Sequence, residues 1–124
     1  MDKEKAQRLA NSILKLDTSI FGVSIVSNTG NPLARVRKET RLGGSPTPEQ
    51  WGTKSFRNAT IMGAARAEDK RLSRTRSIEI VREVVKELLI YVQSLEIIID
   101  VLFDTNVNGT DLVDEIRNKM GLQD

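Results

Sequence analysis

The sequence predicts a mixed α/β domain of the α+β type, with a five-stranded antiparallel sheet and the element order α-β-β-α-β-β-β-α. Three observations carry that prediction. An amphipathic helical period opens the chain, a period of two flanks a turn between residues 20 and 37, and residues 77–103 form a run rich in Ile, Val and Leu. An isolated hairpin is marginal in water, so the first two strands need partners, and only the long apolar run supplies them.

Residues 2–16 place Ala6, Leu9, Ala10, Ile13 and Leu14 on one helical face, with Lys3, Glu4, Arg8, Asn11 and Lys15 on the other. Phe21, Val23 and Ile25 then alternate with Gly22 and Ser24, and the Asn, Gly and Pro cluster at 28–32 supplies a turn between two strands. The segment "TRLGGSPTPEQ" is a loop whose end starts a helix: Thr47 caps, Pro48 suits the first helical position, and Glu49 favours the positive helix end. This second helix is expected to run to about Leu72, with Gly52 and Gly63 inside it.

The run at 77–103 supports two readings. As a helix, it places Glu79, Arg82, Glu83, Lys86 and Glu87 opposite Ile78, Val81, Val85, Leu88 and Val92. Such a helix has no internal stop signal and an unusually large share of β-branched residues. Consistency with the first hairpin favours strands at 78–84, 89–93 and 96–103, with turns near Lys86 and Ser94. A last helix over 111–120, capped by Thr110 or Asp111, carries Leu112, Val113, Ile116 and Met120 as its apolar stripe.

The 124 residues suit a single domain, 1–124, able to bury a core without disulfides. Cysteine and histidine are both absent, which excludes thiol chemistry, Ser-His and Cys-His arrangements and the usual zinc ligand sets. The amino terminus has no signal-peptide pattern, so a cytoplasmic location is the expectation. The net charge of +2 hides an asymmetry: residues 1–76 hold 15 basic and 7 acidic side chains, +8, and residues 77–124 hold 4 and 10, −6. The two halves should attract each other.

Four motifs bear on function. The stretch "DTNVNGTDLVDE" satisfies the EF-hand loop pattern through Asp104, Asn106, Asn108, Gly109 and Glu115, but Asp111 and Leu112 depart from it at its eighth and ninth positions and no second loop exists. A turn followed by a helix cap accounts for the same letters, and no metal site is assigned. Arg66, Lys70, Arg71, Arg74 and Arg76, joined by Arg35, Arg37, Lys38 and Arg41, offer an anion-binding face, as an alternative function on nucleic acid or an anionic membrane. No aromatic residues interleave that run, which favours a solvated face or a contact with an acidic partner surface. The loop "RLGGSPTP" lacks the Lys-Ser/Thr ending of a phosphate-binding loop, and Trp51 reads as a core or interface anchor. Ser55, Ala59, Gly63 and Ala67 recur every four residues as a smooth stripe on the second helix, suited either to the protein's own sheet or to another helix.

The element order, together with "ILKLDTSIFGVSIVSNTGNPLARVRKE", "SIEIVREVVKELLIYV" and "LEIIIDVLFDTN" followed by "TDLVDEIRNKM", resembles the roadblock and dynein-light-chain superfamily, and within it roadblock-like proteins of archaea. The resemblance implies a profilin-like fold and a homodimer formed through the second helix and the neighbouring sheet edge, with Ser55, Ala59, Gly63 and Ala67 at the interface. It also implies a non-enzymatic scaffold or regulator without a cofactor, whose protein partner in better-known members is a small Ras-like GTPase.

Overall fold

The computed structural model describes residues 1–38 and 46–122, so Arg41 and most of the glycine-rich loop lie outside the described residues. Helix α1, Lys3–Leu14, starts at Asp2, whose carboxylate accepts the Lys5 backbone N–H at 2.8 Å. Strands β1, Ile20–Ser27, and β2, Pro32–Arg37, form the expected hairpin. Its turn needs glycine twice over at Gly30: φ is +93°, and a Cβ would stand 3.2 Å from the Phe56 Cα.

Helix α2, Pro48–Arg66, begins with a reciprocal capping box in which Thr47 and Gln50 exchange side-chain and backbone hydrogen bonds of 3.1 and 2.9 Å. It stops at Arg66 rather than near Leu72, and a separate turn, α3, Asp69–Leu72, follows. The Asp69 carboxylate accepts both the backbone N–H and the hydroxyl of Thr75, at 3.0 and 2.6 Å, which draws the chain round towards the sheet.

Residues 77–103 are strands. Strand β3, Ser77–Val81, is shorter than the expected 78–84, and β4, Lys86–Val92, starts at the residue expected to turn. The turn occupies 82–85 and is closed by Arg82 N–H donating to the Val85 carbonyl at 3.0 Å. Lys86 is held in the sheet because its ammonium donates to the Val107 carbonyl at 3.0 Å and faces Glu79 at 3.5 Å. A 3₁₀ turn, Gln93–Leu95, with Glu96 left-handed at φ 53°, leads into β5, Ile97–Phe103.

Helix α4, Gly109–Met120, is capped by Asn108, not by Thr110 or Asp111: the Asn108 amide oxygen accepts the Asp111 N–H at 3.0 Å. The helix therefore starts two residues earlier than expected, and Gly109 admits the Glu79 carboxylate, one oxygen of which lies 2.7 Å from where a Cβ would stand.

The sheet order is β2-β1-β5-β4-β3, with every neighbouring pair antiparallel. Helices α1 and α4 cover one face, over a core that includes Ile13, Ile20, Ile25, Leu88, Ile99, Phe103 and Ile116. Helix α2 lies on the other face, over a smaller cluster of Val26, Met62, Leu89, Tyr91 and Ile98.

Candidate functional site

The alternation of the strands places two unlike surfaces under α2. In the central rows Arg35 stands opposite Ser24, Ser24 opposite Asp100, and Asp100 opposite Leu89, so polar side chains of three strands share the α2 face. Glu87, opposite Leu102, extends that polar surface onto β4. Under the carboxyl-terminal half of α2 the same face is apolar, through Val26, Ile98 and Tyr91.

The helix answers with polar residues of its own. Asn58 is fully buried, and its amide donates to Asp100 Oδ2 at 2.7 Å. Arg57 donates to Glu87 Oε2 at 2.8 Å, Lys54 lies 3.3 Å from the same oxygen and 3.5 Å from Asp100 Oδ2, and Arg82 donates to Glu87 Oε1 at 3.2 Å. Both carboxyl groups are only 1% exposed. Burial, and after it the hydrogen bond with Glu87, pushes the Asp100 carboxyl up to about 8, so it keeps its proton at neutral pH. Burial also acts to raise Glu87, but its hydrogen bond with Asp100 and the Lys54 and Arg57 cations prevail and hold it at about 2. One proton shared by two carboxyl groups, within a frame of three cations, ties α2 to β4 and β5.

None of these six residues was singled out from the sequence as a site. The available signal was Asp100, a lone carboxylate inside "EIIIDVLF", where an apolar strand predicts a buried partner. The ion pairs from α2 to Glu87 and Asp100, with Arg76 to Asp114 at 2.6 Å, express the opposite charges of the two halves of the chain.

The small-residue stripe does not lie on one surface. Ser55 is 1% exposed and donates to the Trp51 carbonyl at 2.8 Å, and Ala59 packs beside the Met62 cluster. Gly63 and Ala67 face outward, and among the described residues nothing stands within 4 Å of a Cβ built on Gly63. The outer face of α2 is continued by Ala64 and by Phe56, which is 66% exposed.

Most of the basic run is engaged. The Arg66 guanidinium lies 3.9 Å over the Tyr91 ring, Arg71 pairs with Glu68 at 2.9 Å, and Arg76 pairs with Asp114; Arg74 is exposed but engaged as well, and Lys70 is exposed. In the loop that resembles an EF-hand, Phe103 ends a strand instead of an entering helix. Asp104 accepts the Asn106 N–H at 3.2 Å, and Asn108 serves as the helix cap. Among the described residues no three acidic side chains come together in a way that could hold a metal ion. Trp51 is half-buried, with the Arg35 guanidinium 4.6 Å over its ring. No helix among the described residues is long and apolar enough to cross a membrane.

The fold is that of Roadblock/LC7 domains. The Roadblock/LC7 domain of Streptomyces avermitilis superposes with a TM-score of 0.70 over 90% of this chain and 88% of its own, at 10% identity. The gliding protein MglB of Thermus thermophilus superposes with a TM-score of 0.65 over 94% and 88%, at 17% identity, and MglB of Myxococcus xanthus with 0.66 over 98% and 92%, at 13%. A further MglB structure, described as having a tetrameric arrangement, gives 0.69 at 17% identity over 94% and 82%. No protein-family model and no curated protein matches the sequence.

Proposed function

We propose that the chain is a non-enzymatic regulatory or scaffold module that forms a homodimer and binds a protein partner, with a small Ras-like GTPase as the partner class. The observation that carries this reading is the juxtaposition of an open sheet edge with an exposed helix face of small residues. The two sheet edges differ: on β2 the Arg35 carbonyl accepts the Gln7 side chain of α1 at 3.3 Å, whereas β3 ends the sheet and, among the described residues, pairs only with β4. An unpaired edge invites pairing with another chain.

Gly63 supports the same reading. Glycine inside a helix costs about 1 kcal/mol relative to alanine, and none of the described residues stands close enough to Gly63 to require it. Close approach of a second helix supplies a reason. Tucking the α2 cations against Glu87 and Asp100 leaves Phe56, Gly63, Ala64 and Ala67 as a surface with little charge.

The alternative, binding of nucleic acid or an anionic membrane through Arg66, Lys70, Arg71, Arg74 and Arg76, draws less support, because Arg66, Arg71 and Arg76 already have aromatic or acidic partners. The partner class is tested by titrating the protein with small Ras-like GTPases loaded with GDP or a GTP analogue, followed by calorimetry. Saturable, nucleotide-dependent binding is expected. Absence of binding in both states, together with strong salt-dependent binding to duplex DNA or acidic vesicles, would transfer the function to the basic face.

A further inference from the structure

The amino-terminal half of helix α2 leaves a pocket above the sheet. Its volume is about 70 Å³, and its lining includes Gly22, Arg35, Trp51, Lys54, Asp100 and Leu102. Two buried polar atoms of lining residues, the indole N–H of Trp51 and Oδ1 of Asp100, have no hydrogen-bond partner among the described residues. Asp100 is itself only 1% exposed. A buried donor and a buried acceptor left unmet are costly, so together they define what a ligand must offer: one acceptor and one donor.

Oδ2 of Asp100 is engaged elsewhere. Asn58 donates to it at 2.7 Å, and Lys54 and Arg57, which reach Glu87 Oε2 at 3.3 and 2.8 Å, also reach Oδ2 at 3.5 and 3.8 Å. The two carboxyl groups therefore meet through these oxygens, and the proton they share lies there, which leaves Oδ1 an acceptor. Charge selects against ions of either sign: a cation would meet Arg35 and Lys54, and an anion would set another acceptor against Oδ1. Water also fits poorly. At roughly 30 Å³ per molecule the space calls for about two, each wanting about three hydrogen bonds, while two polar atoms stand open on largely apolar walls.

We propose that this pocket binds a small primary carboxamide, its carbonyl accepting the Trp51 N–H, one amide N–H donating to Asp100 Oδ1, and its short tail lying against Leu102. The negative end of the amide dipole then faces the cations Arg35 and Lys54, and the positive end faces Asp100. Among the described residues the pocket is open on one side, so the second amide N–H reaches solvent.

Acetamide, acetone and acetate share one shape and differ in hydrogen bonding: acetone lacks the donor, and acetate puts a charged acceptor in its place. Each is titrated into isotope-labelled protein at constant ionic strength, and the amide resonances are followed by NMR. Gly22, Asp100 and Leu102 line this pocket, whereas Gln7, Leu33 and Ala34 line a neighbouring cleft that shares Arg35 and Trp51. Acetamide should shift the first set and the Trp51 indole N–H saturably and leave the second set unmoved. Acetone should bind about tenfold more weakly, through loss of one hydrogen bond, and acetate more weakly still. In Asp100→Asn the amide oxygen takes the place of Oδ2 against Asn58 and Lys54, so its NH₂ replaces Oδ1, and the preference should reverse to acetone over acetamide. No saturable response to acetamide, shifts confined to the second set, equal affinity for acetone, or a folded Asp100→Asn that keeps the native order would each overturn the proposal. If Asp100→Asn does not fold, the order of the three ligands on the native protein decides.

Discussion

Asp100 sits among isoleucines and valines in the middle of a central strand, and its carboxyl is buried beside that of Glu87. A carboxyl raised from 3.8 to about 8 binds its proton more tightly folded than unfolded. Its stabilising contribution is therefore full below pH 4 and is lost as pH rises towards 8. Glu87 acts in the opposite sense: its contribution is present above pH 4.5 and is lost as pH falls towards 2. Chemical denaturation across pH should show a maximum near pH 4 to 5 and a decline towards pH 8. Asp100→Asn, which mimics the protonated carboxyl, should flatten that alkaline decline, and an unchanged slope would remove Asp100 as its cause. Asn58→Ala leaves Asp100 Oδ2 without its shortest donor and should cost about 1–3 kcal/mol, measured by urea unfolding.

At the scale of elements, the caps are the most local devices and the easiest to test. Asn108→Ala removes the acceptor for the Asp111 N–H and should destabilise α4 by about 1 kcal/mol, read as a lower urea midpoint with an unchanged slope. Because Asn108 and Asp104 are engaged in cap and turn, calcium titration should release no heat, and a saturable signal abolished by Glu115→Gln would contradict that assignment. The first hairpin and the α2 cap were legible because alternation, turn residues and Thr47-Pro48 are local signals, whereas the strand character of 77–103 followed from the hairpin's need for further strands. The boundaries at 82–86, the stop at Arg66 and the cap at Asn108 were not: Lys86 is held in the sheet by a contact with Val107, distant in sequence, and the chain after α2 is drawn round by the side-chain bond from Thr75 to Asp69. Asn108 was hidden by ambiguity, as Asn108, Thr110 and Asp111, all of them cap-forming residue types, crowd one turn and only the last two were read as caps. The polar seam under α2 was illegible for a stronger reason. Asp100 alone stands out, as a carboxylate within an apolar strand, while Lys54, Arg57, Asn58 and Glu87 look like ordinary surface residues until the packing of α2 across β4 and β5 makes them its neighbours.

At the scale of the whole molecule, a polar seam fixes α2 by charge and leaves its outer surface small and nearly uncharged. Beside it β3 presents the open edge, while the β2 edge is partly covered by α1. Gly63 is the most informative position, because a Cβ added there meets no atom of the described residues within 4 Å. Gly63→Ala should stabilise the isolated protomer by about 1 kcal/mol through helix propensity alone. The most direct test of the homodimer is light scattering on Gly63→Arg beside the native protein, with circular dichroism to confirm the fold. The native mass should be twice the 13.9 kDa of one chain, and the variant should fall to 13.9 kDa. A native protein already at 13.9 kDa, or a folded variant that keeps the doubled mass, would contradict an interface built on α2.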